Sequence, residues 1–488
     1  MDNGISKRNK WCYSIGGLRD VMYALVSTFL LVYIQYTVPL TNAQFASIGL
    51  IMTLCKVWDA INDPMMGTII ENAHLKGGKF RPWILIGAIS SGIITALMFT
   101  VRAFTGWGYV IFIGIAYLLW GMTFTMNDVS FWSMLPSLSN DPGERDKLTT
   151  LMSIFCSVAA FLVAGVVPMV TGTDKIARYA ICALVVVVIF LAAQLLTYFG
   201  VKENPRQDDP NAEKVTLGKM FRIIKGNDQL LWVTLALCCY YLGSGLLLQF
   251  GMNFCYFEYG YAAGGSIYTA IAVVYLVATL ASQLMFPWLS KKLKRAKVLA
   301  AGTWVAVAGY ALLMAFGYVL PKSMVFIILF GTLVFGGHNL IDLVILVQMS
   351  NTIEYNEYLT GSRNESIVFS LRSFLAKLTG ALQTIIVSAV LIVSGIKVSS
   401  DKIAELEDAL SRGVSDAATV TEQAEKAIAD TPDSARLILR ICMVVIPIIL
   451  IILCNAVDKA RYTLTEDRYS EILTELNHRH SGEAPAAE

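Results

Sequence analysis

The amino-acid sequence predicts an all-α membrane protein with twelve transmembrane helices in two six-helix bundles. Three features carry this prediction: a high apolar content, twelve long apolar runs, and a polar segment midway along the chain. Of the 488 residues, 56% are hydrophobic and 15% are charged, and the mean hydropathy is +0.60. Because about 20 apolar residues cross a bilayer as a helix, we expect the lipid bilayer to surround most of the chain. The net charge of +2 predicts no nucleic-acid partner.

Each apolar run is a candidate helix, because none shows the alternating pattern of a membrane β-barrel strand. A polar segment over 201–227 divides the runs six and six. We therefore expect an amino-terminal bundle over 1–200, a cytoplasmic middle loop, a carboxy-terminal bundle over 228–460 and a cytoplasmic tail over 461–488, with a site where the bundles meet. The runs lie near 14–36, 46–70, 82–103, 107–135, 149–170, 177–200, 229–257, 265–290, 298–318, 323–349, 366–396 and 436–457.

Basic residues lie mostly at the two ends of the chain and in the even-numbered loops, of which 291–295 is the most basic. The positive-inside rule then predicts that both termini are cytoplasmic in a multi-pass protein of the cell membrane. Lys175 and Arg178, in the fifth loop, deviate from this trend. The polar start lacks the apolar core of a cleaved signal peptide. The nine cysteines fall mostly within or beside the runs, which is typical of small buried apolar side chains.

An acidic insert separates the eleventh run from the twelfth, over about residues 398–434. It contains nine acidic and three basic residues. This composition predicts an external loop that is either amphipathic or loosely ordered, and a solvated cover is the role we expect for it.

The second apolar run carries two carboxylates, Asp59 and Asp63, which a helix places on one face because they are four residues apart. Asn62 lies on the adjoining face. Each carboxylate inside a membrane costs roughly 2.5–3.5 kcal/mol, and two neighbours repel, so one must take a proton or both must share a cation. The pattern predicts a cation site with both carboxylates as ligands. The alternative is a structural network in which Lys56 neutralises one of them.

A basic turn with two glycines follows the second run and contains Lys79 and Arg81. We expect these two side chains to pair with acids or helix ends when the cytoplasmic side is shut. The alternative is that their charge only sets the topology. A weaker basic segment follows Trp288 in the second half, which supports an internal duplication.

Five separated motifs together resemble the glycoside–pentoside–hexuronide:cation symporters, the melibiose permease group of the major facilitator superfamily. The resemblance covers nearly the whole chain except the insert and the tail. It implies the major facilitator fold and symport of a sugar with sodium, a proton or possibly lithium, without another cofactor, by a protein that we expect to be a monomer. The motifs are WDAINDPMMG (58–67), GGKFRPWILIG (77–87), WGMTFTMNDVSFWSMLP (120–136), ERDKL (144–148) and IEYNEYLTGSRNESIVFSLRSFLAK (353–377).

The resemblance implies a cation site made of Asp59 and Asp63 with Asn62 and Thr125. Thr125 precedes Asp128 by three positions on the same helix. Since the resemblance assigns Asp128 to sugar binding, the cation site and the sugar site are expected on neighbouring parts of that helix.

The family's sugar site corresponds to Asp20, with the basic Arg19 before it, and to Asp128 and Trp132. Asp128 and Trp132 are four residues apart and share a helix face. A carboxylate accepts paired sugar hydroxyls, and an indole ring stacks on the C–H face of a sugar ring. A packed structural aromatic is the alternative for Trp132.

In the second half, Lys377 matches the lysine by which the family connects its bundles. The family's helix-five arginine is replaced here by Ser153, whereas Arg372 has no charged counterpart. An Arg372 that faces the cavity predicts a uronide substrate, and an Arg372 neutralised by Asp342 predicts a neutral glycoside.

The resemblance also implies cytoplasmic gate pairs at Glu354, Glu357 and Arg363. Three alternatives to symport remain: an uncoupled sugar facilitator, a transporter-like sugar sensor, and a membrane-embedded glycosyltransferase or hydrolase. An enzyme is the least favoured of these, because the sequence contains no HExxH or G-x-S-x-G motif and no Cys/His set.

Overall fold

A computed structural model shows how the apolar runs fold, and it describes residues 5–72, 75, 77–138, 142–172, 174–203, 225–361 and 365–481. Twelve of its helices are long and apolar enough to cross a membrane, which confirms the predicted number. Across these ranges the chain forms helices and turns with no β-strand.

The helices are numbered here in chain order, and the membrane helices are α1 to α11 and α14. Their bounds are α1 (Lys7–Thr37), α2 (Asn42–Asn72), α3 (Arg81–Thr100), α4 (Gly106–Leu138), α5 (Pro142–Val170), α6 (Lys175–Gly200), α7 (Asp228–Tyr259), α8 (Tyr261–Lys292), α9 (Arg295–Ala315), α10 (Met324–Thr360), α11 (Glu365–Val393), α12 (Ile396–Ser411), α13 (Ala417–Ala429), α14 (Asp433–Arg461) and α15 (Glu466–Ser481).

Helix α1 is irregular in two places that flank its predicted site residues. A 3₁₀ turn spans Gly17–Arg19, and a π-helical turn spans Leu25–Phe29. A Cβ on Gly17 would lie 2.7 Å from the carbonyl oxygen of Met152, so the absent side chain allows α1 to approach α5 closely. Such departures from α-helical geometry are frequent at functional sites, and this one places Asp20 directly after a tight turn.

The chain forms two compact units whose limits differ from those of the sequence halves. The first unit combines α1–α6 with Gln249–Ala272 and Thr384–Leu439, which include the end of α7, the beginning of α8 and the insert. The second unit contains Val273–Gln383, the beginning of α7 and the chain from Arg440 onward. The division into bundles over 1–200 and 228–460 therefore stays a prediction.

The acidic insert consists of the two helices α12 and α13. Of the two alternatives expected from its composition, an amphipathic segment and a loosely ordered one, the structure shows the amphipathic segment. Each helix buries an apolar face, with Ile403 in α12 and Val420 in α13 almost inaccessible. The Asp416 carboxylate caps α13 by accepting the backbone N–H groups of Ala418 and Thr419, at 3.0 and 2.9 Å.

A packed core in the first unit holds α1 against α4 and α5. The rings of Tyr13 and Phe131 stack with centroids 4.5 Å apart, and the Tyr13 hydroxyl donates to the Phe131 carbonyl at 2.9 Å. Met152 and Ile84 are fully buried in the same cluster. This core fixes the part of α1 that precedes Arg19.

Candidate functional site

A buried guanidinium joins two accessible carboxylates in the first unit. Arg19 is only 3% exposed, and it forms an ion pair with Asp128 and lies 3.7 Å from Asp20. The two carboxylates are 31% and 30% exposed. The residues of α1 and α4 that were predicted to bind sugar therefore lie together. The two carboxylates are accessible, and the Arg19 guanidinium is buried behind them.

Aromatic rings complete the surroundings of Arg19. Its guanidinium carbon lies 4.8 Å from the ring centroid of Phe131 and 5.8 Å from those of Phe124 and Trp132. Rings at this distance attract a cation through their electron-rich faces. Trp132 is 42% exposed, so an accessible aromatic surface adjoins the two carboxylates.

The predicted cation ligands lie where α2 packs against α4. The Thr125 hydroxyl donates to Asp63 Oδ1 at 3.3 Å. Asn62 and Thr125 are buried, whereas Asp59 and Asp63 are half-buried. A Cβ on Gly121 would lie 2.6 Å from Asp59 Oδ1, so glycine at that position lets the carboxylate approach α4.

These ligand types suit a small hard cation or a proton. Carboxylate, amide and hydroxyl oxygens are the ligands of alkali and alkaline-earth ions, while zinc prefers thiolate and imidazole. Within the described ranges, no group of three or more His, Cys, Asp or Glu residues could hold a metal ion. Asp59 and Asp63 are two carboxylates one helical turn apart, and the Thr125 hydroxyl is the neutral oxygen that bonds to Asp63.

Lys56 belongs to the same neighbourhood as the acidic pair. Its ammonium group donates to the Thr384 hydroxyl at 2.9 Å and interacts electrostatically with Asp59. Thr384 lies in the part of α11 that belongs to the first unit. The lysine therefore links the acidic region of α2 to α11 within that unit.

Tyr23 lies near both predicted sites, and the sequence analysis missed it. It interacts electrostatically with the carboxylates of both sites, and its ring stacks on Phe124 with centroids 5.6 Å apart. Its side chain is 48% exposed. The available signal was its position three residues after Asp20, which places both residues on one helix face. The carboxylates concerned are Asp128, Asp59, Asp20 and Asp63.

Cys156 of α5 is a second residue that the sequence analysis missed. Its thiol interacts electrostatically with Asp20 and Arg19. It is only partly buried, so it differs from the small apolar cysteines that composition predicted. The signal was its position three residues after Ser153, where the family has a sugar-binding arginine.

A chain of buried amides fixes the helix that carries Asp128. The Asn127 amide donates to the Ile84 carbonyl at 2.9 Å and to Gln194 Oε1 at 3.0 Å. The Gln194 amide in turn donates to the Gly16 carbonyl at 2.9 Å. This chain joins α3, α4, α6 and α1, and it holds the backbone next to Asp128 in one position.

The second unit contains its own charged cluster. Arg372 lies 3.8 Å from Asp342, and both side chains are about one-third exposed. Tyr241 interacts electrostatically with both Arg372 and Asp342. His338, one turn before Asp342, is buried between two tyrosine rings. Lys377 is half-buried on α11, and its predicted link to the acidic amino-terminal half stays a prediction.

The predicted gate residues differ in what surrounds them. Glu203 accepts the backbone N–H groups of Lys79 and Arg81, at 2.8 and 2.7 Å, and so caps the start of α3. Arg81 Nε also donates to the Tyr198 carbonyl at 2.6 Å. These contacts tie α3 to the end of α6. Of the other predicted gate residues, Glu357 is buried, Glu354 is half-buried and Arg363 lies outside the described residues.

A fold with twelve membrane helices and charged groups between them is typical of a membrane transporter, and comparison with known families agrees. The chain belongs to the MFS/sugar transport protein family, whose model matches residues 12–466. This match confirms the predicted family resemblance, and it confirms that the protein is a transporter and not an enzyme.

Two curated relatives and one solved structure illustrate this membership. The chain is 27% identical to a lactose permease of Lactobacillus delbrueckii subsp. bulgaricus, over 95% of this chain and 71% of the relative. It is 26% identical to a raffinose carrier protein of Pediococcus pentosaceus, over 94% of this chain and 69% of the relative. An inward-facing, unoccupied bacterial homolog of the human lysosomal transporter Spinster has the same fold, with a TM-score of 0.65, 12% identity and 98% coverage of both chains.

Proposed function

We propose that this protein is a secondary active symporter of the cell membrane that couples a sodium ion or a proton to the uptake of a neutral glycoside or oligosaccharide. Both termini are cytoplasmic in this proposal. The observation that carries it is the clustering of two acidic pairs in one compact unit. Thr125 of α4 bonds to Asp63, which lies one helical turn after Asp59 on α2. Asp128, three residues after Thr125 on α4, lies beside Arg19, as does Asp20.

The cation step follows from the charge of the α2 pair. Two carboxylates one helical turn apart repel, and a bound sodium ion or proton removes that repulsion. Thr125 supplies a neutral oxygen beside Asp63, and the buried Asn62 precedes Asp63 on α2. Neutralising the pair lowers the negative potential around Tyr23 and the neighbouring sugar carboxylates. Cation binding then favours sugar binding, and by linkage the sugar must tighten cation binding by the same factor.

The sugar step uses Asp128, Asp20 and Trp132. Each carboxylate accepts hydroxyl hydrogens, and the exposed indole supports the apolar face of the ring. Arg19 is too buried to contact a sugar. It neutralises the two carboxylates and holds them at fixed positions, so it acts as a positioning residue.

The second unit supports a neutral substrate. Asp342 lies beside Arg372 and offsets the positive charge that a uronide carboxylate would need. The names of the two curated relatives, a lactose permease and a raffinose carrier, point to the same neutral class.

Equilibrium binding tests the proposed coupling. Calorimetric titration of lactose into the purified protein, with sodium, with lithium or at lowered pH, is expected to show tighter binding with the coupling ion. Titration of that ion with and without lactose must give the same factor. Lactose binding that no cation or proton alters would support the uncoupled facilitator instead.

A further inference from the structure

Helix α12 of the insert is tied to the first helices of the chain by charged contacts. Arg102, in the turn between α3 and α4, lies 3.1 Å from Asp408 and donates to the Thr37 carbonyl at 2.9 Å. Lys397 donates to the Leu40 carbonyl at 2.9 Å. The insert is therefore fastened to the turns that join α1 to α2 and α3 to α4.

The same insert also bonds to the turn between α7 and α8. The Tyr261 hydroxyl donates to the Glu407 carboxylate. Glu425 of α13 accepts the backbone N–H of Ala262 at 2.9 Å. Gly260 has a φ of 93°, which suits glycine, so the chain reverses sharply where the insert meets it.

Glu407 joins both groups of contacts, because it also accepts the backbone N–H of Lys175 at 2.8 Å. Lys175 is 1% exposed, and its ammonium donates to the Thr171 carbonyl at 3.0 Å and to the Tyr256 hydroxyl at 2.9 Å. The ammonium lies 4.1 Å from the centroid of the Tyr261 ring. A buried carboxyl and a buried ammonium therefore interact electrostatically where α6, α12 and the turn between α7 and α8 converge.

Beneath the insert, helices from the two sequence halves also touch directly. The Gln35 amide and the Tyr36 hydroxyl both contact Asn253 Oδ1 at 2.7 Å, and Asn253 is 1% exposed. The Thr269 hydroxyl donates to the Gly165 carbonyl at 2.6 Å. This end of the first unit is therefore shut by polar contacts.

We propose that the insert is a clasp that holds this end shut and releases once in every transport cycle. The proposal rests on the proposed function, since only a transporter that opens alternately must separate these helices. The contacts of Glu407 favour a clasp over a static cover. A buried carboxyl and a buried ammonium both forfeit hydration when the clasp is shut and regain it when it opens, so closure is weakly held. A dry apolar seal has no such compensation, because opening it exposes apolar surface to water.

Cross-linking tests the proposal directly. A cleavable short thiol cross-linker joins Cys residues introduced as Ala262→Cys and Glu425→Cys, in liposomes that take up labelled lactose. We expect cross-linking to lower uptake at least tenfold, and cleavage of the linker to restore it. Each single variant, treated identically, controls for reaction at the native cysteines. Full uptake after complete cross-linking would overturn the clasp. Absence of lactose uptake before cross-linking would contradict the proposed function instead.

A second measurement covers the case in which cross-linking perturbs folding. Asn253→Cys places a thiol beneath the clasp, where a maleimide reaches it only after opening. Adding Glu407→Ala removes the contacts to Lys175 and Tyr261, so we expect maleimide to react several times faster. Glu405→Ala, at an exposed position on the same helix, is the matched control. Equal rates in the Glu407 and Glu405 variants would contradict the proposal.

Discussion

In the proposed sugar site, Arg19 holds two carboxylates together without contacting the sugar itself. A lone guanidinium at this depth would be strongly unfavourable, and Asp20 and Asp128 offset that cost on one side while aromatic rings offset it on the other. The two carboxylates are left partly exposed and partly neutralised. That state suits hydroxyl binding, because a carboxylate can accept two hydroxyl hydrogens without the full cost of an isolated charge.

The α2 carboxylates give the sharpest test at the level of single residues. Asp59→Cys or Asp63→Cys removes one charge of the pair, so no cation can be bound between two carboxylates. We expect cation-stimulated lactose accumulation to fall to the level of protein-free liposomes, while some lactose binding persists. Asp467→Asn, on the exposed face of α15, is the control. Full cation-driven accumulation in both Cys variants would remove these residues from the mechanism.

Cys156 offers a chemical probe of the sugar site. Its thiol interacts electrostatically with Asp20, so we expect a sugar bound there to shield it from maleimide. We expect lactose at saturating concentration to slow labelling of Cys156 at least threefold, and Cys156→Ser to abolish the protected signal in peptide mass spectrometry. Glycine betaine at the same concentration, which is not a sugar, controls for crowding. Labelling that no glycoside slows would place the sugar away from Asp20.

How far single residues could be predicted depended on whether the signal was local. The spacing of Asp59 and Asp63 predicted their common helix face, and the structure brings Thr125 to Asp63 as the resemblance implied. Tyr23 and Cys156 each lie three residues after a singled-out position, but that spacing alone did not mark them, because their neighbours lie on helices that meet only in the folded chain. Asp59 and Asp63 were therefore candidates from sequence, whereas Tyr23 and Cys156 became candidates only with the tertiary structure.

At the level of helices, the contact between α10 and α11 bears on the choice of substrate. Asp342→Asn removes the negative charge beside Arg372 and leaves a net positive side chain there. We expect this variant to lose neutral-sugar uptake several-fold and to become more sensitive to competition by a glucuronide. The measurement is labelled-lactose uptake against a panel of uronides and neutral glycosides. Arg372→Ala is the companion variant, and its retention of full uptake would show that this cluster does not contact substrate.

The clasp of α12 predicts a pH dependence whose direction follows from burial. Burial raises the pKa of the Glu407 carboxyl above its ordinary 4.5 despite the nearby Lys175, and Asp174 raises it further. The shut clasp therefore favours the protonated acid. This stabilisation is fully present below pH 4.5 and is lost as the pH rises through the raised pKa. The hydroxyls of Tyr261 and Tyr256 also lie close to this carboxyl.

Acid should consequently keep the clasp shut. We expect maleimide to reach Asn253→Cys more slowly at pH 5.5 than at pH 7.5, after correction for the intrinsic pH dependence of thiol labelling. Adding Glu407→Gln removes the titrating group and should flatten the corrected difference. A corrected difference that persists unchanged in the Gln variant would assign the effect to another group.

The insert also shows which features of an element composition can predict. The excess of acidic residues over basic ones predicted a polar segment, and its helices follow from apolar residues at helical spacing. Nothing local indicated that Glu407 would be buried against Lys175. Lys175 did stand out as a deviation from the positive-inside trend, and its burial beneath the insert supplies a reason for that deviation.

For the whole molecule, the class of fold could be predicted from hydropathy, because a helix needs about 20 apolar residues to cross a bilayer. The family match confirms a transporter, and the acidic clusters of the first unit supply groups suited to a cation and a sugar. The central claim is that these clusters couple the two ligands.

Uptake of labelled lactose into proteoliposomes, under an imposed sodium gradient and separately under a proton gradient, tests this coupling. We expect lactose to accumulate above its equilibrium concentration under one gradient, and this accumulation to collapse when that gradient is dissipated. Control liposomes contain protein with Asp63→Cys. Lactose that only equilibrates under both gradients would contradict coupling, and Asp59 and Asp63 would then have a structural or gating role.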